Sequence, residues 1–356
     1  MQVTTVGIDL AKNVFRVHGV DAGGKPVLRK KVSRGQLLKL LANLAPCLVG
    51  MEACGGAHYW GREIEQLGHQ VRLINPRFIT PYLKGNKNDA NDAEAICEAV
   101  ARPSMRFVAL KSRAQQDALS VHRVRSLLQR QRGALMNQMR GLLAECGVVV
   151  AKGPAALRRA LPLILGERAE TLSAWMRELV LEMSERLRFL EQRLADYDRR
   201  IERLARSSAP AGRLMEVAGV GPLTATALIA AVGNAQQFKS GRQLSAWLGL
   251  VPAQRSSGQR TVLLGISKRG DRYLRTLLIH GARSALRYSG GKRDRLSCWA
   301  DALRQRRGYN LAAVALANKN ARVLWALLTR GEAYRVGGTR DSASHPSAPP
   351  RLRAAG

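Results

Sequence analysis

Acidic residues are scarce in this sequence: 26 aspartates and glutamates stand against 58 lysines and arginines, a net charge of +32 over 356 residues. Self-repulsion on that scale opposes compaction unless a polyanion neutralises it, so the shortage of acids points to DNA or RNA as partner. Paired cysteines are missing too. The five present (Cys47, Cys54, Cys97, Cys146, Cys298) are odd in number, scattered and without a C-x-x-C, and the six histidines lie apart from them. That excludes a disulfide framework and a zinc site and predicts reduced thiols in a cytoplasmic protein. No 18-residue apolar run, signal peptide or lipidation motif is visible, which argues against a basic membrane-surface protein and for no membrane partner. What is present is 46% hydrophobic content, enough for two or three packed domains.

Residues 1–112 alternate strand and helix signals. "TTVGIDLA" (4–11) is an apolar run ending on Asp9, "VFRVHGVD" (14–21) alternates with period two, and "GGKPVLRKKVS" supplies a turn and a third strand. These three read as an antiparallel meander. A helical "GQLLKLLANL", a short strand "CLVGMEA" carrying Glu52, a helix over about 57–67 and a strand over 70–76 follow. The order predicts an α/β domain with a mixed sheet and acids at strand ends.

Residues 113–206 are helical and highly charged. Apolar residues recur at 172, 176, 179, 183, 187, 190, 194, 197, 201 and 204, the three-four spacing of a coiled-coil seam, paired with 115–145 or with another chain. Residues 207–330 form a third, mainly helical unit. Its Gly219-Val220-Gly221 turn lies between apolar helices. It reads as a helix-hairpin-helix, whose glycines let backbone N–H groups approach a phosphate, or as a tight turn between packed helices. The tail, 331–356, is rich in Gly, Ser and Pro and is expected to be disordered.

Four acids then stand out. "KGNKNDANDAEAI" (84–96) opens a helix with Asp89 and Asp92 three positions apart. Residues so spaced share a helix face and can aim at one point, although acids in a first turn are also what the helix dipole favours. Asp9 and Glu52 end strands. A cluster of carboxylates on a basic protein suits phosphodiester chemistry, in which two Mg²⁺ ions held by hard oxygens bridge the scissile phosphate. An early "GID" strand followed by a meander fits a ribonuclease-H-like nuclease fold or an actin-like kinase fold. The second wants Gly-rich phosphate loops, and Gly55-Gly56 after Cys54 is too short to be one.

"VGIDLAKNVF", "GMEACGGAHYWGREI", "KNDANDAEAI", "LSAWLGLVPAQRSSGQRTVLLGISKRGDRYLRTLLIHGAR" and "ANKNARVLWALLTRGEAY" occur in that order between residue 1 and about 335. Together they resemble the DEDD-type transposases of bacterial insertion sequences, a family that includes Piv-like DNA invertases and recombinases guided by a bridge RNA. The resemblance implies a RuvC-like, ribonuclease-H-like α/β domain over 1–112, a helical coiled-coil segment over 113–206 and a mainly α C-terminal transposase domain over 207–330. It places the acidic tetrad on Asp9, Glu52, Asp89 and Asp92, with Mg²⁺ as cofactor. It also implies donor and target DNA, a structured guide RNA, a homo-oligomer (dimer or tetramer) with its site assembled between protomers, and a nucleoid-associated location.

"QRSSGQ" read by residue type alone is a hairpin turn, set among Arg255, Arg260, Lys268, Arg269, Arg272 and Arg275. Cations beside a hydroxyl can stabilise charge developing on phosphorus, so a nucleophilic serine is the other reading. The resemblance favours the second: a transient phosphoserine link to DNA through Ser256, with Ser257 as the alternative. A different function from the same four acids is a metal-dependent, structure-selective nuclease of the junction-resolvase kind, with water as nucleophile. A non-catalytic nucleic-acid binder whose acids merely cap helices, and a sugar-kinase-like phosphotransferase, complete the set.

Overall fold

The structure, a computed structural model, describes residues 2–84, 88–166, 169–258 and 260–334. The tail from residue 335 on lies outside them. The chain divides into two compact units, Met1–Leu119 with Ala230–Gln237, and Ser120–Ile229 with Phe238 onward.

In the first unit β1 (Thr5–Asp9), β2 (Val14–Val20) and β3 (Pro26–Ser33) pair antiparallel, which is the expected meander. After α1 (Leu37–Ala42), β4 (Leu48–Glu52) returns parallel to β1. After α2 (Ala57–Glu65), β5 (Gln70–Ile74) lies parallel to β4. A short α3 (Pro76–Ile79) and α4 (Asp89–Val100) precede β6 (Phe107–Val108), antiparallel to β5. The mixed sheet has the order β3-β2-β1-β4-β5-β6, compatible with a ribonuclease-H-like domain.

The two faces of this sheet are built differently. On one, Val6, Ile8, Phe15, Val17, Val49 and Met51 pack with Leu37 and Leu41 of α1 and with Ala57, Trp60 and Ile64 of α2. Each large side chain so buried contributes about 1.5–3 kcal/mol. Strand side chains alternate, so Gly7 and Gly50, partners in the β1–β4 register, belong to the other face. A Cβ on Gly7 would lie 2.2 Å from Ala93 O and 2.4 Å from Cys97 N, and one on Gly50 would lie 2.7 Å from Val100 Cβ. The paired glycines form the trough that receives α4. Ile96, Ala99 and Val100 close the core there with Ile74 and Ile79.

The second unit is mostly helical. The C-terminal half of α5 (Arg113–Glu145), α6 (Pro154–Leu165) and the N-terminal half of α7 (Ala174–Arg206) share one apolar cluster that includes Met139, Leu143, Leu157, Val180 and Leu187. Arg125 in the N-terminal half of α5 pairs with Asp198 in the C-terminal half of α7, so the two long helices run antiparallel. The buried stripe of α7 differs from the spaced seam at both ends. Val180, Ser184 and Ala205 are buried, while Leu179 and Leu204 are exposed. A straight helix turns 3.6 residues at a time, so a strict 3.5-residue register drifts off the buried face within a few turns.

The rest of the second unit comprises α8 (Ala209–Met215), α9 (Pro222–Val232) as far as Ile229, α10 (Gly241–Trp247), the ribbon β7 (Pro252–Ser257) and β8 (Arg260–Ile266), then α11 (Arg272–Arg287), α12 (Arg295–Arg307) and α13 (Tyr309–Arg330). Among the described residues α13 is the one helix long and apolar enough, by length and composition, to cross a membrane, with a mean hydropathy of 1.2. Asn318, Lys319, Asn320 and Arg322 interrupt it, so no continuous apolar run marks it in the sequence. Its Ala312, Ala313, Leu316, Ala317, Ala321, Leu324 and Leu327 are buried, and α8, α10, α11 and α12 all pack on it. That is the position of a core helix.

Candidate active site

The start of α4 is fixed by Asn88. Its extended backbone lets the side chain accept from the N–H groups of Ala90 and Asn91, and the Asn91 amide donates to Lys84 O at 3.1 Å. The cap is therefore made by an asparagine, and neither aspartate of the first turn is needed for it. Asp9 lies two residues beyond Gly7 and so shares the α4 face of the sheet. The close approach over Gly7 then brings the helix start to the strand end. Asp9, Asp89 and Asp92 each present a carboxylate oxygen within 4.8 Å of the other two.

Glu52 lies two residues beyond Gly50 on the neighbouring parallel strand, hence on the same face, yet outside that set of three. Its field nevertheless overlaps that of Asp9. The Cys54 thiol is pushed up by burial first, then by Glu52 and Asp9. Three hard-oxygen donors held this close suit a divalent cation, which relieves their mutual repulsion.

The serines belong to the second unit. Ser256 and Ser257 end β7 at the tip of the two-stranded ribbon, paired with Thr261 and Arg260 respectively. Both are exposed, and Gly258 takes a positive φ of 55° at the turn. The ribbon is the hairpin that "SSG" suggests, and the alternating "RTVLL" of β8 is its other signal. The Gln254 amide donates to Ser256 Oγ at 2.7 Å. Residues 254 and 256 share one strand face and Ser257 takes the other.

Of the cations around the serines, Arg255, Arg260, Lys268, Arg269 and Arg272 are exposed. Arg275 has a different task, since its guanidinium donates to Leu248 O at 3.1 Å and Arg269 O at 3.3 Å. The glycine turn also divides. A Cβ on Gly219 would lie 2.4 Å from Gly281 O, so this residue serves the close packing of the turn on α11. Nothing lies within 4 Å of a Cβ on Gly221.

A buried histidine, His122 of α5, joins that helix to α9 and α11. Thr226 of α9 donates to Pro222 O at 2.7 Å and so accepts from His122 Nε2 at 3.0 Å; the Tyr273 hydroxyl then donates to Nδ1 at 3.1 Å. Burial, and then Arg125, push the His122 pKa down to about 4, so the ring is neutral. The Gly7–Gly50 trough, the Asn88 cap, Gln254 and this network all escaped the sequence reading. The repeated "VGID" and "VGME" were the available signal for the trough.

Comparison with known proteins bears on both regions. A DEDD transposase model of the IS110 type matches residues 6–147, and one described as "Transposase IS116/IS110/IS902 family" matches residues 211–297. The chain is 52% identical over 338 residues to "Probable family 20 transposase" of Pseudomonas aeruginosa, covering 95% of this chain and all of that one. It is 46% identical over 335 residues to the transposase for insertion sequence element IS1111A of Coxiella burnetii, covering 94% and 92%. To the transposase for insertion sequence element IS1328 of Yersinia enterocolitica it is 40% identical over 332 residues, covering 93% and 98%. The protein is a transposase, an enzyme acting on DNA. It belongs to the IS116/IS110/IS902 family of insertion-sequence transposases, a DEDD family that implies a divalent metal.

Proposed function

We propose that the protein excises and integrates its own mobile element by Mg²⁺-dependent cleavage and exchange of DNA strands through a phosphoserine intermediate. The observation that carries this is the convergence of Asp9, Asp89 and Asp92 on one point of the α4 face of the sheet, in a chain with transposase relatives over nearly its whole length. These three, with Glu52 beside them, would hold Mg²⁺. When bound, the metal supplies stabilisation of negative charge on the scissile phosphate.

Ser256 is the nucleophile in this reading. Its Oγ forms a bond to phosphorus, the bond from phosphorus to the departing sugar oxygen breaks, the serine proton passes to solvent and the departing oxygen takes one up. A DNA hydroxyl later attacks the phosphoserine and releases Ser256. The exposed ribbon supports access to a phosphate, and the Gln254 bond supports Ser256 over Ser257 by orienting one hydroxyl only. Arg255, Arg260, Lys268, Arg269 and Arg272 would hold the DNA backbone, with Gly221 offering an open N–H approach.

On this reading 1–112 is the catalytic domain, 113–206 the helical segment that pairs protomers, and 207–330 the domain that carries the serine. The net charge of +32 suits a structured guide RNA beside two DNA partners, with base pairing supplying target choice and the protein reading backbone. Action on the chromosome places the enzyme in the cytoplasm.

The test is trapping of an SDS-resistant protein–DNA adduct on element-end DNA in Mg²⁺. The wild type should form it and a Ser256→Ala, Ser257→Ala double variant should not. Full strand exchange by the double variant would overturn the covalent route and favour the water-using nuclease.

A further inference from the structure

Among residues that belong to neither region, α12 and α13 border an open cavity of about 400 Å³ lined by Arg295, Cys298, Trp299, Ala302 and Lys319. The α12 residues recur at helical spacing, so they form one face of that helix. Trp299 is 37% exposed, and the Lys319 ammonium stands 4.4 Å from the centroid of its ring. Arg322 follows Lys319 by one turn of α13.

Among the described residues none of Arg295, Lys319 and Arg322 has a carboxylate oxygen within 4.0 Å, whereas Arg304 further along α12 is paired with Asp301 at 3.3 Å. Burial, then Arg322 and Arg295, push the Lys319 pKa down. Lys319 is half-buried while Arg295 and Arg322 are exposed, and like charges held around it cost free energy that an anion would recover. A bare phosphate would answer the cations and leave untouched the exposed part of the indole that Lys319 does not cover. A duplex has its bases already stacked on one another and offers none to Trp299. An unpaired base stacks on an aromatic ring while its phosphate meets neighbouring cations, the arrangement common to proteins that hold single strands.

We infer that the α12–α13 cavity binds an unpaired nucleotide, with its base against Trp299 and its phosphate among Arg295, Lys319 and Arg322. The inference rests on the nucleic-acid reading of the chain and adds a site for a single-stranded segment outside the acidic centre and the serine ribbon.

The full chain is tested with a 15-nucleotide uridine oligomer, the matching thymidine oligomer and a DNA duplex of the same length. Trp299→Leu should weaken single-strand binding about tenfold or more, the scale of one lost stacking contact. Trp299→Phe should stay within about threefold of wild type, and duplex binding should be unchanged. A loss confined to the uridine oligomer assigns the site to RNA and a loss confined to the thymidine oligomer assigns it to DNA. Equal weakening on duplex, or no weakening by Trp299→Leu or by Arg295→Gln with Arg322→Gln, overturns the inference. A second measurement needs no variant: irradiation of the wild type with a 5-iodouracil-bearing oligomer should crosslink the tryptic peptide 296–304, and its absence among the crosslinked peptides also overturns the inference. A wild type that binds none of the three probes would instead reject the nucleic-acid reading itself.

Discussion

The acidic centre stands on the middle of a six-stranded sheet, whereas the two serines ride at the tip of a two-stranded ribbon whose Leu263 is 65% and Leu264 49% exposed. In the first region every carboxylate is carried by an element with a buried face. β1 contributes Val6 and Ile8 to the core beneath Asp9, and α4 contributes Ala93, Ile96 and Val100 beside Asp89 and Asp92. A two-stranded ribbon has no second layer of its own and is marginal in isolation. On the proposed mechanism the difference separates two tasks. Gathering like charges requires a scaffold whose packing energy exceeds their repulsion, whereas a nucleophile that must reach a phosphate benefits from an element that can adjust to it.

The largest expected effect is at the acidic centre. Asp92→Asn keeps the size and helix position of the side chain and removes the charge. It should lower DNA cleavage by about a thousandfold or more, several kcal/mol of barrier, while DNA binding in a gel-shift titration stays near wild type. Retained cleavage would break the comparison at its root, because the cluster would then be only a helix start.

The next effect contrasts a glycine from each region. Gly7→Ala must move α4 away from β1, since the new Cβ would meet Ala93 O at 2.2 Å, whereas Gly265 in β8 has nothing within 4 Å of that position. Overpacking of a rigid interior costs about 1–3 kcal/mol, and an exposed strand glycine tolerates Ala within about 1 kcal/mol. Urea unfolding should show that difference. Metal-dependent cleavage should fall for Gly7→Ala and not for Gly265→Ala. Equal behaviour of the two would mean that α4 is free to shift and that the acidic centre is not held by its strand.

The sequence carried the succession β1 to β5 and the meander of the first unit, though not the short β6, because alternation and apolar runs report which side of a strand is buried. The acid positions were legible as strand ends and a helix start, and the resemblance joined them into one set. Packing that depends on the absence of a side chain was not legible. Gly7 and Gly50 matter through a helix more than 80 and 40 residues away in the chain, and no local pattern states that distance. The α7 stripe was misplaced at its ends for a related reason, because an ideal seam ignores which neighbour, α5 or α6, sits beside each turn. Gln254 and His122 were invisible because each acquires its role from a partner chosen by the fold.

His122 extends the comparison to the helices of the second unit, where it bonds Thr226 of α9 and Tyr273 of α11. Its pKa of about 4 lies below the ordinary value near 6.5, so between those values the unfolded chain binds a proton that the folded chain does not. Stability is therefore fully present above about pH 6.5 and falls as the pH drops toward 4, by up to about 3 kcal/mol. His122→Gln can still hydrogen bond and cannot titrate. The wild type should lose more stability than this variant between pH 7 and pH 4.5 in chemical denaturation, and the gap between the two curves isolates the histidine from the carboxylates. Parallel curves would mean that the ring is protonated within the fold.

The smallest effect concerns the ribbon tip and decides between its two serines. Gln254 and Ser256 lie on one face of β7, joined by a 2.7 Å hydrogen bond, while Ser257 lies on the other. A neutral hydrogen bond contributes about 1 kcal/mol, so Gln254→Ala should slow formation of the SDS-resistant adduct roughly fivefold without changing how tightly element-end DNA is held. If Ser257 were the nucleophile, its rate would not respond to Gln254. A twin measurement with Arg260→Gln, the cross-strand partner of Ser257, should then show the rate effect in its place. On the proposed mechanism the ribbon thus differs from the acidic centre in a last respect: its chemistry would be adjusted by single exposed contacts, each removable without disturbing a core.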